Sequence, residues 1–557
     1  MPDVIFGAIG VSFLMENKNV FIALLLMLAV WTGYTVFFVK PSPIVPVAEE
    51  QSQAKNQEII PLADVGDKKE PMTDPVSVMV APTGVKAQDF VVETDDYRAV
   101  FSNVGARLKS LELKKYRETL EKDSGLVSLV GINGETSTFG TTGQGDIQLP
   151  VDYIYSTSVP AEGLNLKAGD QRVLRFTAVL DKGVVVEKNY SIKGNGYDLQ
   201  LDIVIHNQGS STLQGNLDFL LVQPWFEGRD DSRYSFVGPA VYEDGDLTTY
   251  KIKKLEDKAI RHANAPVWTA FEDKHFLTAA IPLESTQHTF VLQKDTDTIS
   301  NIIESGPLRL DPNQSLSLGY LLYAGPRDLD ILKGVNYELD KAIDFGFFDM
   351  LARPLLSVLQ FCYNNVIQNY GVAIILLTGF IKILFWPLTH KSYKSMRDMQ
   401  KLQPEMQRLR EKYKTDKERM NREIMELYRN NRVNPMGGCL PMFAQIPVFF
   451  ALYKVLLESI ALRHEPFIFW IQDLSAKDPY YITPIIMGVT MFIQQKMSPT
   501  TMDSQQAKIM LFMPIIFTFM FLNFPSGLVL YWLVNNILTI TQQWFINRGA
   551  TPSTQTA

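Results

Sequence analysis

The sequence predicts an α-helical polytopic membrane protein with six transmembrane helices, a large all-β exported domain and a cytoplasmic helical hairpin. Three observations predict it. Six segments are apolar and long enough to be candidate spans. Residues 91–340 alternate apolar and polar positions in short runs bounded by turn residues. A strongly basic loop with a narrow helical seam lies between the second and third of the apolar segments.

The first span, Val20–Val39, is too long for a typical signal-peptide core and lacks a good small-residue cleavage site, so residues 1–40 read as an uncleaved anchor. The other five are Gly371–Leu388, Cys439–Ile460, Tyr480–Gln494, Ile509–Phe524 and Leu528–Ile546. The fourth and fifth spans hold only about 15 residues each, roughly 24 Å of helix against a ~30 Å hydrocarbon core, which implies local thinning or shelter inside the bundle.

Orientation follows from the basic residues. Thr389–Met436 carries six Lys and seven Arg against two Asp and five Glu, a net +6 in a chain of net −7. That loop is therefore expected in the cytoplasm, and six spans then place both termini there. The two cysteines, Cys362 and Cys439, fall in or beside membrane segments and suit neither a disulfide framework nor a metal site.

Residues 41–90 are rich in Pro, Val, Ala, Gln and acidic residues without periodicity and read as a flexible exported linker. Beyond it, runs such as Tyr97–Phe101, Val184–Ile192, Tyr197–Ile205 and Thr289–Gln293 alternate at period two. They predict an antiparallel β-sandwich over 91–340. Phe345–Phe361 is apolar and aromatic but interrupted by Asp349, Arg353 and Pro354, which suits a helix lying in the outer interface. It opens the membrane core, 341–550, and a short cytoplasmic tail, 551–557, follows.

The hairpin is expected over 390–432. Met399, Leu402, Met406, Leu409 and Tyr413 recur at spacings of three and four, and Thr415 with Glu418 forms a capping box that restarts a second helix through Met420, Ile424 and Leu427. Lys394, Arg397, Lys401, Arg408 and Arg410 give the hairpin a positive face suited to anionic surfaces.

Lys382 stands out because it interrupts the apolar run of the second span. An ionisable group there is costly and usually faces a protein interior or wet cavity. Snorkelling competes as an explanation, but eight residues separate Lys382 from His390, roughly 12 Å of helix and longer than a lysine stem. A polar cavity is the favoured reading. Thr378 lies one turn earlier, and Gln445, Thr518, Asn523, Asn535, Asn536, Thr539 and Gln542 dot the later spans. Each alone could simply bond a neighbouring helix; together with a lysine they point to a wet interior. Lys454 and Glu458 are placed for a local ion pair.

Nucleotide-binding loops, metal-ligand clusters and nucleophile elbows do not occur, so neither a cofactor nor covalent catalysis is expected, and the chain does not read as an enzyme.

Several stretches carry a resemblance: Phe385–Thr389, Leu402–Pro404, Val433–Cys439, Gln445–Phe449, Trp470–Tyr481, Met487–Thr500 and Phe524–Tyr531. In these the chain closely resembles the YidC/Oxa/Alb membrane insertases over about 341–550, and its whole layout is similar to family members of Gram-negative bacteria. Thr94-Asp95, Phe276–Ala279 and Tyr323–Pro326 extend the likeness more weakly into the exported domain. The resemblance implies a five-helix core around a hydrophilic groove open to cytoplasm and lipid, and a β-supersandwich outside. It places Lys382 where the family usually has Arg, Thr378 beside it, Trp532 for a Tyr and Asn535 for a Ser; Gln445, Ile446 and Pro447 fall in a matching stretch of the third span. The planar fork of Arg is lost at Lys382 while the charge is kept.

The function implied is a membrane protein insertase and chaperone for nascent inner-membrane proteins, working alone or with the Sec translocon. Its expected partners are those clients, membrane lipids and, as further candidates, the translocon and the ribosome. A small-molecule or lipid transporter using the same groove is the rival reading. A carbohydrate-binding exported module on a passive anchor is a third, weakened by the polar residues within the spans.

Overall fold

The computed structural model describes residues 85–548 apart from 133–135, 161, 230–235, 257, 285–287, 432, 434–439 and 498–503. The expected first span, most of the linker, Cys439 and the 551–557 tail lie outside the described residues.

Period-two alternation becomes strand where it was expected, at Tyr97–Ser102, Val184–Lys193, Asp198–Asn207 and Thr289–Lys294. In Asp198–Asn207 every second side chain is buried, as a pleated strand with one face on a core requires. The strands build three sheets rather than one simple antiparallel sandwich. The largest has nine strands, and its centre runs Phe276–Pro282, Ser315–Pro326, Asp198–Asn207, Val184–Lys193, Gln171–Val179, all antiparallel neighbours. A six-stranded sheet is organised around Leu213–Pro224. A five-stranded sheet adds a parallel pair, Asp89–Glu93 with Leu164–Asn165. Gly163 permits that return: its φ is 81°, and a Cβ there would strike the Val91 carbonyl.

Apolar burial holds these layers together, with Phe219 of the six-stranded sheet stacked on Tyr320 of the nine-stranded one at 4.6 Å, while Trp268 stacks on its cross-strand neighbour Tyr242 at 5.4 Å. A polar stitch ties the nine-stranded sheet to turns beside the other two. Lys188, fully buried, donates from Nζ to the carbonyls of Phe139 at 2.8 Å and Gly105 at 3.2 Å, and Tyr190 donates to Ala106 O at 2.7 Å. Burial pushes the Lys188 amine well below the usual lysine range.

The last long strand ends at Pro326 and leads through helix α1, Leu329–Val335, to the helical core. Its further helices are α2 (Asp349–Asn365), α3 (Tyr370–Lys401), α4 (Gln403–Lys412), α5 (Lys417–Asn430), α6 (Leu440–Glu458), α7 (Ile482–Met497), α8 (Ser504–Phe521) and α9 (Ser526–Arg548). Among the described residues one helix, α3, is by itself long and apolar enough to cross a membrane.

The junction is fastened by arginines. Arg327 donates from Nη2 to Ala342 O at 2.7 Å and lies 3.6 Å from the buried Glu272. Arg353 bridges Asp340 at 3.2 Å and Asp349 at 2.8 Å. The expected interfacial helix therefore begins at Asp349, four residues later than its apolar run, where that carboxylate and Arg353 face each other one turn apart. Its buried face is Ala352, Leu356 and Leu359, and Phe348 just ahead of it stacks on Phe450 of α6 at 5.7 Å.

Two expectations at the basic loop need correction. Nothing breaks α3 at His390: the helix continues to Lys401, since Leu388–Lys401 contains neither Gly nor Pro, so Lys394, Arg397 and Lys401 ride on the extension of the span. The cap of α5 is Asp416, not Thr415, for its carboxylate accepts from Arg419 N at 3.0 Å. Met399, Leu402 and Met406 of the expected seam do pack, against Tyr428 of α5, in a small core separate from the main one. Lys394, Lys401 and Arg408 are exposed and Arg397 and Arg410 half-buried; Lys401 pairs with Asp398 at 3.0 Å.

Candidate functional site

Helix α9 is the axis of the site. At 100° per residue, Asn535, Asn536, Thr539, Gln542 and Gln543 fall within about 120° of one face. Asn536, Thr539, Gln542 and Gln543 are buried and Asn535 is half-buried, so this face meets protein rather than lipid. Helices α3, α6 and α7 supply its partners.

Lys382 reaches this face. Its Nζ donates to Thr539 Oγ1 at 2.8 Å, and Thr539 donates onward to Asn535 O at 2.6 Å. The ammonium is half-buried and tied to the opposite helix, so the side chain runs inward rather than along the lipid surface. Gln445 of α6 donates from Nε2 to Asn535 Oδ1 at 2.9 Å. Asn536 donates to Thr490 of α7 at 3.3 Å, and Gln543 donates to the Tyr393 hydroxyl of α3 at 2.9 Å. Backbone polar groups in a spanning helix are spent internally, so these side chains are the polar capacity the bundle has left.

The pairs also set helix direction. Gly527 lies against Ile374, Thr539 against Lys382 and Gln543 against Tyr393, with numbers rising together, so α3 and α9 run parallel. The two ends of the bundle differ in consequence. Toward the β-domain, α9 begins with Leu528, Val529 and Tyr531 in an apolar and aromatic core with Ile374, Leu377 and Phe521. Toward the basic hairpin its face is polar.

The loop at the β-domain end is also well packed. The loop after α6 buries Ile460, Leu462, Ile471 and Leu474, and Phe467 fills the space beside Gly371, where a Cβ would collide with its ring. Asp478 organises this loop, accepting from Thr483 N at 2.8 Å, Tyr480 N at 2.9 Å and Trp470 Nε1 at 3.2 Å. Burial opposes its ionisation, but these bonds together hold its carboxyl below the usual range. Ser526 N and Gly527 N close the turn into α9 on the carbonyls of Ala476, at 2.7 Å, and Leu474, at 2.9 Å.

The expected site residues thus divide. Lys382, Gln445 and Asn535 meet through α9. Thr378 is buried, but its hydroxyl donates back to Ile374 O at 2.6 Å within its own helix. Trp532 packs edge-on to Phe449 at 4.8 Å and beside Phe521 at 5.1 Å, in the aromatic layer between the two ends. Ile446 is 39% exposed, about 100° around α6 from Gln445, and Pro447 is half-buried within that helix. Thr539 as the partner of Lys382, and Tyr393 and Thr490 as members of the network, were not singled out from the sequence; the 3.6-residue periodicity of α9 is the signal that finds the first of them.

A family model described as 60Kd inner membrane protein matches residues 361–553, and one described as YidC periplasmic domain matches residues 89–358. A protein of Geotalea daltonii named Membrane protein insertase YidC is 44% identical over 96% of this chain and 99% of its own length. The chain belongs to the YidC family. A relative of the same name from Geobacter sulfurreducens is 48% identical over 82% of this chain and 86% of its own length. Among solved structures, an active YidC insertase with its first transmembrane domain resolved aligns over 82% of this chain and 92% of its own at 20% identity, with a TM-score of 0.36. The β-rich region is accordingly the family's periplasmic domain, and the helical core its inner-membrane part. The transporter reading finds no support among these YidC relatives.

Proposed function

We propose that the chain inserts nascent inner-membrane proteins through the half-polar bundle centred on α9, without a catalytic step. The observation that carries this is the hydrogen bond from Lys382 to Thr539 in a bundle polar toward the hairpin and apolar toward the β-domain. A channel needs a polar path from end to end. A groove polar over half its depth instead lowers the cost of bringing a hydrophilic flank partway into the bilayer.

In this reading the chain has six spans with both termini in the cytoplasm, and the hairpin of α4 and α5 faces the emerging client. Lys394, Arg397, Lys401, Arg408 and Arg410 receive the client, the ribosome or anionic lipid headgroups. The client's polar flank rests against Lys382, Gln445 and Asn535, with Thr378 one turn from Lys382 on the same helix. Ile446, Pro447 and Trp532 meet its apolar part as it leaves sideways into lipid. Apolar burial and the membrane potential drive the transfer. In this reading the Sec translocon is a further partner.

The test is insertion of a single-span client into liposomes holding the purified full-length protein alone. Protease protection of the client's translocated flank is the expected result; its absence, with flux of small solutes instead, would overturn the reading.

A further inference from the structure

Gln542 is 2% exposed, and its Nε2 has no hydrogen-bond partner among the described residues. Buried polar atoms are nearly always paired, and a carboxamide donor inside a membrane bundle has no bulk water to fall back on. Its neighbours on the same face are engaged: Asn535 with Gln445, Asn536 with Thr490, Thr539 with Lys382, and Gln543 with Tyr393. The open donor sits one turn beyond Thr539, hence one turn from the end of the Lys382 side chain, toward the hairpin end of α9.

Resting on the insertase reading above, we propose that Gln542 is a substrate-contact residue that donates a hydrogen bond to main-chain carbonyls of the client's polar flank. The chemistry selects this acceptor. A neutral N–H donor asks for an oxygen lone pair and needs no charge on it, and an unfolded polypeptide offers one such carbonyl per residue whatever its sequence. Lys382 then answers to the client's charge, while Gln542 answers to its backbone. Together they let one groove accept flanks of unrelated sequence. An orphaned donor in the resting state is the kind of locally unfavourable feature that persists where a ligand completes it.

The experiment uses the full-length protein in liposomes and a synthetic single-span client with zero, one or two acidic residues in its translocated flank. Gln542→Met keeps the shape of the side chain and removes the donor. The expected result is a loss in initial insertion rate of roughly three- to tenfold, the range of one hydrogen bond, equal for all three clients. The melting temperature stays the same or rises, because an unpaired buried polar group has been removed. Lys382→Ala, by contrast, loses more with each acidic residue. A client whose flank carries ester links in place of amides, with weaker carbonyl acceptors, should be inserted at nearly equal rates by the unaltered protein and by Gln542→Met. The proposal is overturned if Gln542→Met inserts all clients like the unaltered protein, which would mean that only water meets the donor. It is equally overturned if the loss scales with client charge or follows a fall in melting temperature. An unaltered protein that inserts none of the clients would instead overturn the insertase reading.

Discussion

The Lys382 ammonium hydrogen-bonds the Thr539 hydroxyl across two parallel helices at 2.8 Å, and among the described residues no carboxylate pairs with it. A hydroxyl satisfies one N–H and leaves the positive charge uncompensated. Two further donors remain to meet water or an incoming acceptor.

Charge, not shape, should therefore govern substitutions at Lys382. Lys382→Arg is expected to insert clients within about threefold of the unaltered protein, and Lys382→Glu to lose most activity, the loss deepening with each acidic residue in the client flank. Insertion rates at matched protein levels check this. Losses independent of client charge would show that the residue only wets the groove.

Glu272 makes the junction pH-sensitive. Burial, opposed by Arg327 and reinforced by Glu458 and Asp344, raises its carboxyl from 4.5 to about 7. The folded state thus holds the proton more tightly than the unfolded one, so its contribution is fully present below pH 4.5 and is lost as pH rises toward 7. The span is roughly 3 kcal/mol at most. Thermal unfolding followed from pH 4.5 to 7.5 should show stability falling through that window, and Glu272→Gln should flatten the profile.

Close approach of α7 and α8 depends on Gly488, where a Cβ would strike Thr518 Oγ1. Gly488→Ala should destabilise by about 1–3 kcal/mol through overpacking, and the added substitution Thr518→Ala should recover most of it. Melting temperatures of the two single variants and the double variant decide the matter. Additive losses would place the strain elsewhere.

The hairpin is held by a small core in which Tyr428 donates to Met406 Sδ at 3.1 Å. Tyr428→Ala should expose α4 and α5 to amide exchange while protection in α3 near Ile374 and in α9 near Val529 stays unchanged. Deleting residues 391–432 is expected to abolish client capture. Normal insertion by a well-expressed deletion would remove the hairpin from the mechanism.

Much of the site's chemistry was legible locally. Lys382 within an apolar run, the polar residues of α9 and the seam from Met399 to Met406 are features of composition and period, and a helix obeys these over three to seven residues. Thr378 was legible as polar but not as self-satisfied, because a threonine hydroxyl chooses between its own helix and a neighbour only when the neighbour's distance is set. The cap of α5 moved by one residue because Thr415 and Asp416 both suit the role, and the turn after Tyr413 selects between them.

From the sequence alone came the division into an alternating β region and an apolar helical core, the basic loop between spans and the lysine set within an apolar run. Hydropathy and periodicity are sums over near neighbours, and they survive any arrangement of the elements. Which side chain answers Lys382, why the β strands form three sheets with one parallel pair, and why Gln542 is left with an open donor were decided by tertiary structure. Thr539 lies 157 residues from Lys382. Only the parallel packing of α3 on α9 brings the two within a hydrogen bond, because that pairing is fixed by contacts along both helices and by no local preference of either.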